Sequence, residues 1–380
     1  MKLHFGKRKD MSTIQLKHFV TILLLIVTME NIHAQTGTEP VRLAVAGITH
    51  GHVPWILGRK AQDNIVLVGI YEKDTALSRK LAAQFRLPTS LFYSDLHKML
   101  ELVKPEAVVA FGSTFEHLSI VEACAPKRIH VMVEKPLAAT AEQAERMEQL
   151  ASRHKIHLLT NYETSWYATT EKAYQLISNN KQIGNITKAV FHHGHQGPQK
   201  IGVNPEFLKW LTDPMLNGGG ALMDFGCYGA NIMTYLMHGE APLTVTAITQ
   251  QLQPSLYPKV EDEATIILTY PHTQAIIQAS WNWPYSRKDM EVYGESGYVI
   301  TSDDTHMRIS QNGKVQQLQP DASEIGVYKD PFSYFADVIR GRQSVAPHSL
   351  YSLQNNVMVV RILDAALLSA KTGKTIRLKK

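Results

Sequence analysis

The chain has 380 residues, enough for two domains of ordinary size, each with its own core. With 44% hydrophobic and 19% charged residues it reads as globular, neither disordered nor fibrous. Its net charge of +5 is modest, and beyond the first eighteen positions there is no Lys/Arg stripe, which argues against a nucleic-acid partner.

The first predicted element is a leader. Lys7-Arg8-Lys9 and Lys17 precede an apolar run over 19–29, and Ile32-His33-Ala34 then supplies a small residue before Gln35. That is the order of a secretory signal peptide. A run of about 10 apolar residues is short for a bilayer span. The expectation is therefore a signal peptide over 1–34, cleaved near Ala34, and an exported, periplasmic protein with no stable membrane insertion afterwards. The same order is complete from Met11. No cysteine stands at the cleavage point to take a lipid, and no twin-Arg pair precedes the apolar run. Cys124 and Cys227 are too few for a disulfide framework and read as buried small hydrophobes.

From Val41 short apolar runs alternate with amphipathic stretches. Strands are predicted over 41–46, 65–71, 107–111, 130–133 and 158–161. Helices are predicted from the first strand through about Gln62, then over 75–85, 95–103, 116–125 and 140–154. Continuous apolar strands alternating with helices predict a doubly wound parallel sheet, an α/β Rossmann domain over 38–161. Right-handed crossovers then gather the strand C-termini on one ligand-binding edge.

After Asn161 the rhythm changes. Longer β-prone stretches occur at 187–195, 245–252, 264–270, 274–281, 291–293, 298–301 and 374–378. Helices are predicted over 169–178, 222–238, 331–340 and 353–370. This predicts an α+β domain over 162–380 with an open, mostly antiparallel sheet, whose closing helices can pack back on the first domain.

Three segments carry chemistry. Gly47-Ile48-Thr49-His50-Gly51-His52 follows the first strand where a G-x-G-x-x-G dinucleotide loop belongs, but Thr49 and His52 replace two of its glycines. A plain strand-to-helix turn remains an equal reading of that segment alone. Glu72 ends the second strand about 25 residues on, the spacing of an acid that binds ribose hydroxyls and repels a 2′-phosphate, which favours NAD over NADP. Ser113-Thr114-Phe115-Glu116-His117 and Glu134-Lys135-Pro136 follow the predicted strands over 107–111 and 130–133, at the edge where a nicotinamide would lie. A lysine there can steady developing alkoxide charge. Finally, Gly218-Gly219-Gly220 opens a helix on which Asp224 and Tyr228, four apart, share one face and could relay a proton. Read alone, that pair is better explained as an Asp N-cap followed by a core Tyr.

Together these segments resemble the glucose-fructose oxidoreductase/inositol dehydrogenase (Gfo/Idh/MocA) family from about Val41 to the end of the chain. The resemblance implies an NAD(P)-dependent oxidoreductase acting on sugars, glycosides or cyclitols, with a homo-oligomer, dimer or tetramer, built on the second sheet. It implies catalytic roles for Lys135, which orients the reacting hydroxyl, for Asp224 in the substrate cleft, and for Tyr228, which stands where many members place a histidine. Cofactor contacts are implied for Gly47, Ile48, Thr49, His50, Glu72, Ser113, His117, Glu134 and Lys135. Substrate contacts are implied for Asn161, Tyr162, Trp210, Asp224 and Tyr228. Because free NAD is scarce outside the cytoplasm, an exported member implies a tightly held, recycled cofactor. A redox-neutral glycoside hydrolase and a non-catalytic sugar-binding protein remain alternatives. Trp210, Trp281 and Trp283 could offer sugar platforms or fill the core. His192, His193 and His195 with His50 and His52 raise a zinc site, but no complementary ligand set has fixed spacing, so no metal is expected.

Overall fold

A computed structural model describes residues 1–2, 39–59, 64–328 and 330–378. The expected signal peptide and its cleavage point lie outside the described residues apart from the first two. No helix among the described residues is long and apolar enough to cross a membrane.

From Val41 onward the chain forms one compact unit. Strands β1 Val41–Ala46, β2 Ile65–Tyr71, β3 Phe92–Tyr93, β4 Ala107–Ala110, β5 His130–Glu134 and β6 Leu158–Asn161 form a parallel sheet in the order β3-β2-β1-β4-β5-β6. Both faces are buried, as parallel strands require. Leu43 and Val45 pack with Phe332 and Phe335 of the helix Pro331–Ile339, while Ala44 and Ala46 pack on the other face with Val357 and Val360 of the helix Leu353–Thr372. Side-chain oxygens fix the helix starts: Asp74 accepts from the Ala76 and Leu77 amides, Asp95 from Lys98 and Thr140 from Gln143.

Strands β7 Ile186–Gly194, β8 Thr244–Gln250, β9 Glu263–Thr269, β10 Gln274–Ser280, β11 Arg287–Gly294, β12 Gly297–Thr301, β13 Met307–Gln311, β14 Lys314–Leu318 and β15 Ile376–Arg377 form the second sheet. Its order is β14-β13-β12-β11-β7-β10-β9-β8-β15, antiparallel except between β7 and β10. One face, through Phe191, Ile266, Ile277 and Val292, packs under the almost wholly buried helix Ala221–Leu236.

Three departures from the predicted elements matter. The long helix after β1 is absent among the described residues; a turn through His50–Val53 leads to the four-residue helix Pro54–Leu57. Gly51 and Pro54 interrupt the periodicity there. The short helices Pro205–Leu211 and Pro214–Asn217 arise in a stretch for which no element was predicted, started by Asn204 and Asp213 caps. The hairpin of β13 and β14 also escaped prediction, because β14 is almost wholly exposed and carries no alternation of apolar residues.

Candidate active site

Parallel register brings the strand ends level. Ala46 lies opposite Tyr71 and Ala110, Ala110 opposite Val133, and Glu134 opposite Asn161. Gly47, Glu72, Ser113, Lys135 and Tyr162 therefore leave the sheet on one edge. The glycine run explains how the helix Ala221–Leu236 reaches that edge: a Cβ on Gly220 would lie 1.9 Å from the Glu261 carbonyl oxygen. Its N-cap is Gly220, so Asp224 is not a cap but a first-turn side chain facing inward.

Lys135, from the end of β5, meets Asp224 there. Its Nζ donates to Asp224 Oδ1 at 2.5 Å and to the Asp224 carbonyl at 3.0 Å, leaving one N–H for a further acceptor. The other carboxylate oxygen accepts from Trp281 Nε1 at 2.9 Å. Burial opposes both charges, yet their mutual attraction wins: the Asp224 carboxyl sits below its ordinary range and the Lys135 ammonium above its own. The peptide bond from Lys135 to Pro136 is cis.

Tyr228 lies one turn on, its ring 5.1 Å from Lys135 Nζ and 5.4 Å from Lys288 Nζ. Burial, and then Glu163 and the other nearby acids, raise its phenol well above the usual value, so it stays protonated near neutral pH. Lys135 thus supports the ring while two of its three N–H groups go to Asp224, and the phenol rests in its protonated form, ready to donate. Tyr162 is fully buried against the Tyr228 ring, at 5.5 Å and nearly perpendicular.

Glu134 turns the other way. Oε1 accepts from Asn161 Nδ2 at 2.8 Å, and Oε2 takes a hydrogen bond from His52 Nδ1 at 3.2 Å. Burial pushes this carboxyl up, but His52 and His50 outweigh it and hold it at about 2. Asn161 in turn accepts from Trp166 Nε1 at 2.8 Å. Trp210 is not with the catalytic group; it donates to Thr49 Oγ1 at 3.0 Å and covers the β1 turn. Trp281 is wholly buried, a support for Asp224 rather than a platform, and Trp283 lies beneath the Arg287 guanidinium at 5.6 Å.

Several residues at this site were not singled out as catalytic or binding groups in the sequence. Lys288 pairs in register with His193 on the adjacent strand and forms an ion pair with Glu163. Glu163, Trp166, Tyr167 and Asp304 join Trp55 and Arg59 around a cavity of about 460 Å³. Among the described residues, His50, His52 and Glu134 are the one set of three side chains close enough to share a metal ion. His50 accepts the His52 amide hydrogen at Nδ1, which leaves its proton on Nε2 and no free lone pair for a metal. His192 instead pairs with Asp289, and His193 is buried against the Tyr228 ring.

Residues 41–162 match the oxidoreductase family with an NAD-binding Rossmann fold, Gfo/Idh/MocA, and residues 170–300 match the Gfo/Idh/MocA C-terminal domain. The chain belongs to the Gfo/Idh/MocA family of NAD(P)-dependent oxidoreductases. It is 25% identical over 357 residues to D-xylose 1-dehydrogenase [NADP(+)] of Haloarcula marismortui, covering 90% of this chain and 95% of that one. It is 24% identical to trans-1,2-dihydrobenzene-1,2-diol dehydrogenase of Xenopus tropicalis, over 79% of this chain and 88% of that one. Among solved structures it shares its fold with aldose-aldose oxidoreductase from Caulobacter crescentus, at a TM-score of 0.74 and 21% identity, over 90% of this chain and all (100%) of the other.

The dinucleotide that defines the family fits what this edge offers. Gly47 has φ +75° and a Cβ there would lie 2.7 Å from Gly112, so the turn closes as tightly as the first fingerprint glycine requires. Glu72 accepts from the Ile48 and Asp74 amides, one on each oxygen, and each oxygen keeps a lone pair for a ribose hydroxyl. Beside the loops after β1 and β4, the buried imidazole nitrogens His50 Nε2 and His117 Nε2 lack partners in the protein. The second is an acceptor, because His117 Nδ1 donates to the Leu137 carbonyl at 3.1 Å. Ser113 Oγ, by contrast, is spent on Glu116 at 2.9 Å.

Proposed function

We propose that this chain interconverts a hydroxyl-bearing and a keto carbon on a sugar, glycoside or cyclitol. The observation that carries the reading is the buried Lys135–Asp224 pair set against a protonated Tyr228 at the Rossmann edge. A bound nicotinamide supplies the hydride chemistry there. Lys135 uses its remaining N–H to hold the reacting oxygen, Asp224 keeps that lysine charged and aimed, and Tyr228 holds the proton that a developing alkoxide takes up. Glu72, Gly47 and the β1 turn hold the cofactor, and the carboxylate of Glu72 favours NAD over a 2′-phosphate. The cavity of about 460 Å³ adjoins the site through Glu163 and Lys288, and offers tryptophan faces with carboxylates, the pairing that suits a polyhydroxylated ring.

The amino-terminal leader supports export to the periplasm, and with it a cofactor held tightly and reduced and reoxidised within one cycle. Assembly into dimers or tetramers is part of the same proposal. The test is to denature protein purified from its native compartment and measure released nucleotide. Nucleotide in about equimolar amount, together with keto-sugar formed from a panel of aldoses, cyclitols and glycosides, supports the reading. Protein that carries no nucleotide and binds neither NADH nor NADPH would sink it.

A further inference from the structure

From Thr49 to Val53 the turn after β1 keeps a single amide without an acceptor in the protein, that of Gly51, where a glycine-rich loop offers several. The Thr49 and His50 N–H groups both donate to the Phe111 carbonyl, at 3.1 and 2.9 Å, and the His52 N–H donates to His50 Nδ1 at 3.0 Å. The helix that follows starts at Pro54, which has no N–H, and is four residues long. A glycine loop opening a long helix would instead present a fan of amides to the phosphates.

Side chains stand where those amides would be. His50 is buried and, accepting at Nδ1, carries its proton on Nε2, where no acceptor meets it within the protein. A buried donor left unpaired costs about 1–3 kcal/mol, so this position suits a ligand oxygen. His52 gives Nδ1–H to Glu134, and its side chain is 22% exposed. Glu134 is itself pinned by Asn161, so the ring orientation is fixed as in other carboxylate–imidazole pairs. Trp55 stacks on His52 at 3.8 Å and 10°, and Phe207 lies 4.6 Å from the His50 ring. Both imidazoles are thus held in place before any ligand arrives.

We infer that the Thr49-His50-Gly51-His52 turn holds the diphosphate of the dinucleotide through the imidazole N–H groups of His50 and His52 beside the one free amide, that of Gly51. The inference rests on the cofactor reading above. With its Nδ1–H held by Glu134, His52 donates from Nε2 as the imidazolium. The charged and titratable groups around it are Glu134 from β5, Glu163 after β6 and His50 from its own turn.

The test is equilibrium binding to protein stripped of nucleotide, followed by tryptophan fluorescence, with NADH, ADP-ribose and adenosine. His52→Phe keeps a ring on Trp55 and removes the donor; it should weaken NADH and ADP-ribose about tenfold and leave adenosine, which has no phosphate, unchanged. A variant that binds all three ligands normally, or that weakens adenosine as much as NADH, would overturn the inference. Wild-type protein that binds none of the three overturns the cofactor reading itself, a different result from normal NADH binding that ignores His52. Should His52→Phe not fold, His52→Leu, which also removes the donor, is read against the same outcomes.

Discussion

Removing Lys135 tests the site through stability before any substrate is known. In Lys135→Met the Asp224 carboxylate keeps its hydrogen bond from Trp281 but loses its counter-charge, with each side chain of the native pair only 7% exposed. Breaking a buried pair from one side costs about 3–5 kcal/mol. A second route gives the same size. The stranded carboxyl avoids its charge by taking a proton, and protonating a group of ordinary pKa near 3.9 at pH 7 costs about 4 kcal/mol. The variant's carboxyl pKa is raised above its unfolded value, so the stability it contributes is present at acid pH and lost as pH rises. The deficit relative to wild type should therefore shrink to about 1.5 kcal/mol at pH 5. Urea denaturation followed by fluorescence reads this directly. At a slope of about 3 kcal/mol/M the midpoint should fall by more than about 1 M at pH 7 and by about half that at pH 5. The double variant Lys135→Met/Asp224→Asn, which buries no charge, should recover most of the loss. A single variant with the wild-type midpoint, or a deficit that does not change with pH, would refute the buried pair as the centre of this site.

Other expectations follow from single positions. Tyr228→Phe should cut turnover about 100-fold or more while leaving NADH affinity and melting temperature near wild type, as steady-state kinetics and a binding titration would show. Gly220→Ala should destabilise by more than about 3 kcal/mol or prevent soluble expression, because its Cβ would stand 1.9 Å from the Glu261 carbonyl. His117 and His193 are buried, and burial lowers them to about 4 and about 3. Both stay neutral in the fold, so stability is full above their unfolded value near 6.5 and falls as pH drops below it, by about 2 kcal/mol for each at pH 5. His193→Phe should blunt that acid loss in a melting series.

The repeated strand and helix periods made the Rossmann half legible in the sequence, since buried parallel strands are continuous apolar runs and their helices are amphipathic. The Glu134-Lys135-Pro136 segment and the run from Gly218 to Tyr228 were legible too, because each demands particular residues within a few positions. Local order ended where local sequence ceased to decide. Thr49 and His52 looked like damage to a glycine loop, and only the meeting of His52 with Glu134, 82 residues away, gives them a shared geometry. Trp281 read as a core residue by default, and only the structure shows its N–H on Asp224, 57 residues back. Lys288 and Glu163, 125 apart, carried no signal at all.

The sequence by itself determined most of the strands and helices and which strand ends hold polar groups, because hydrophobic period and turn chemistry act over a few residues. The tertiary structure decided which of those polar groups face one another and what charge each can bear. Parallel register levels five strand ends on one edge, the glycine run lets the helix of Asp224 and Tyr228 close on it, and burial then sets the protonation. Burial and pairing are properties of the assembled core, and no stretch of sequence carries them alone.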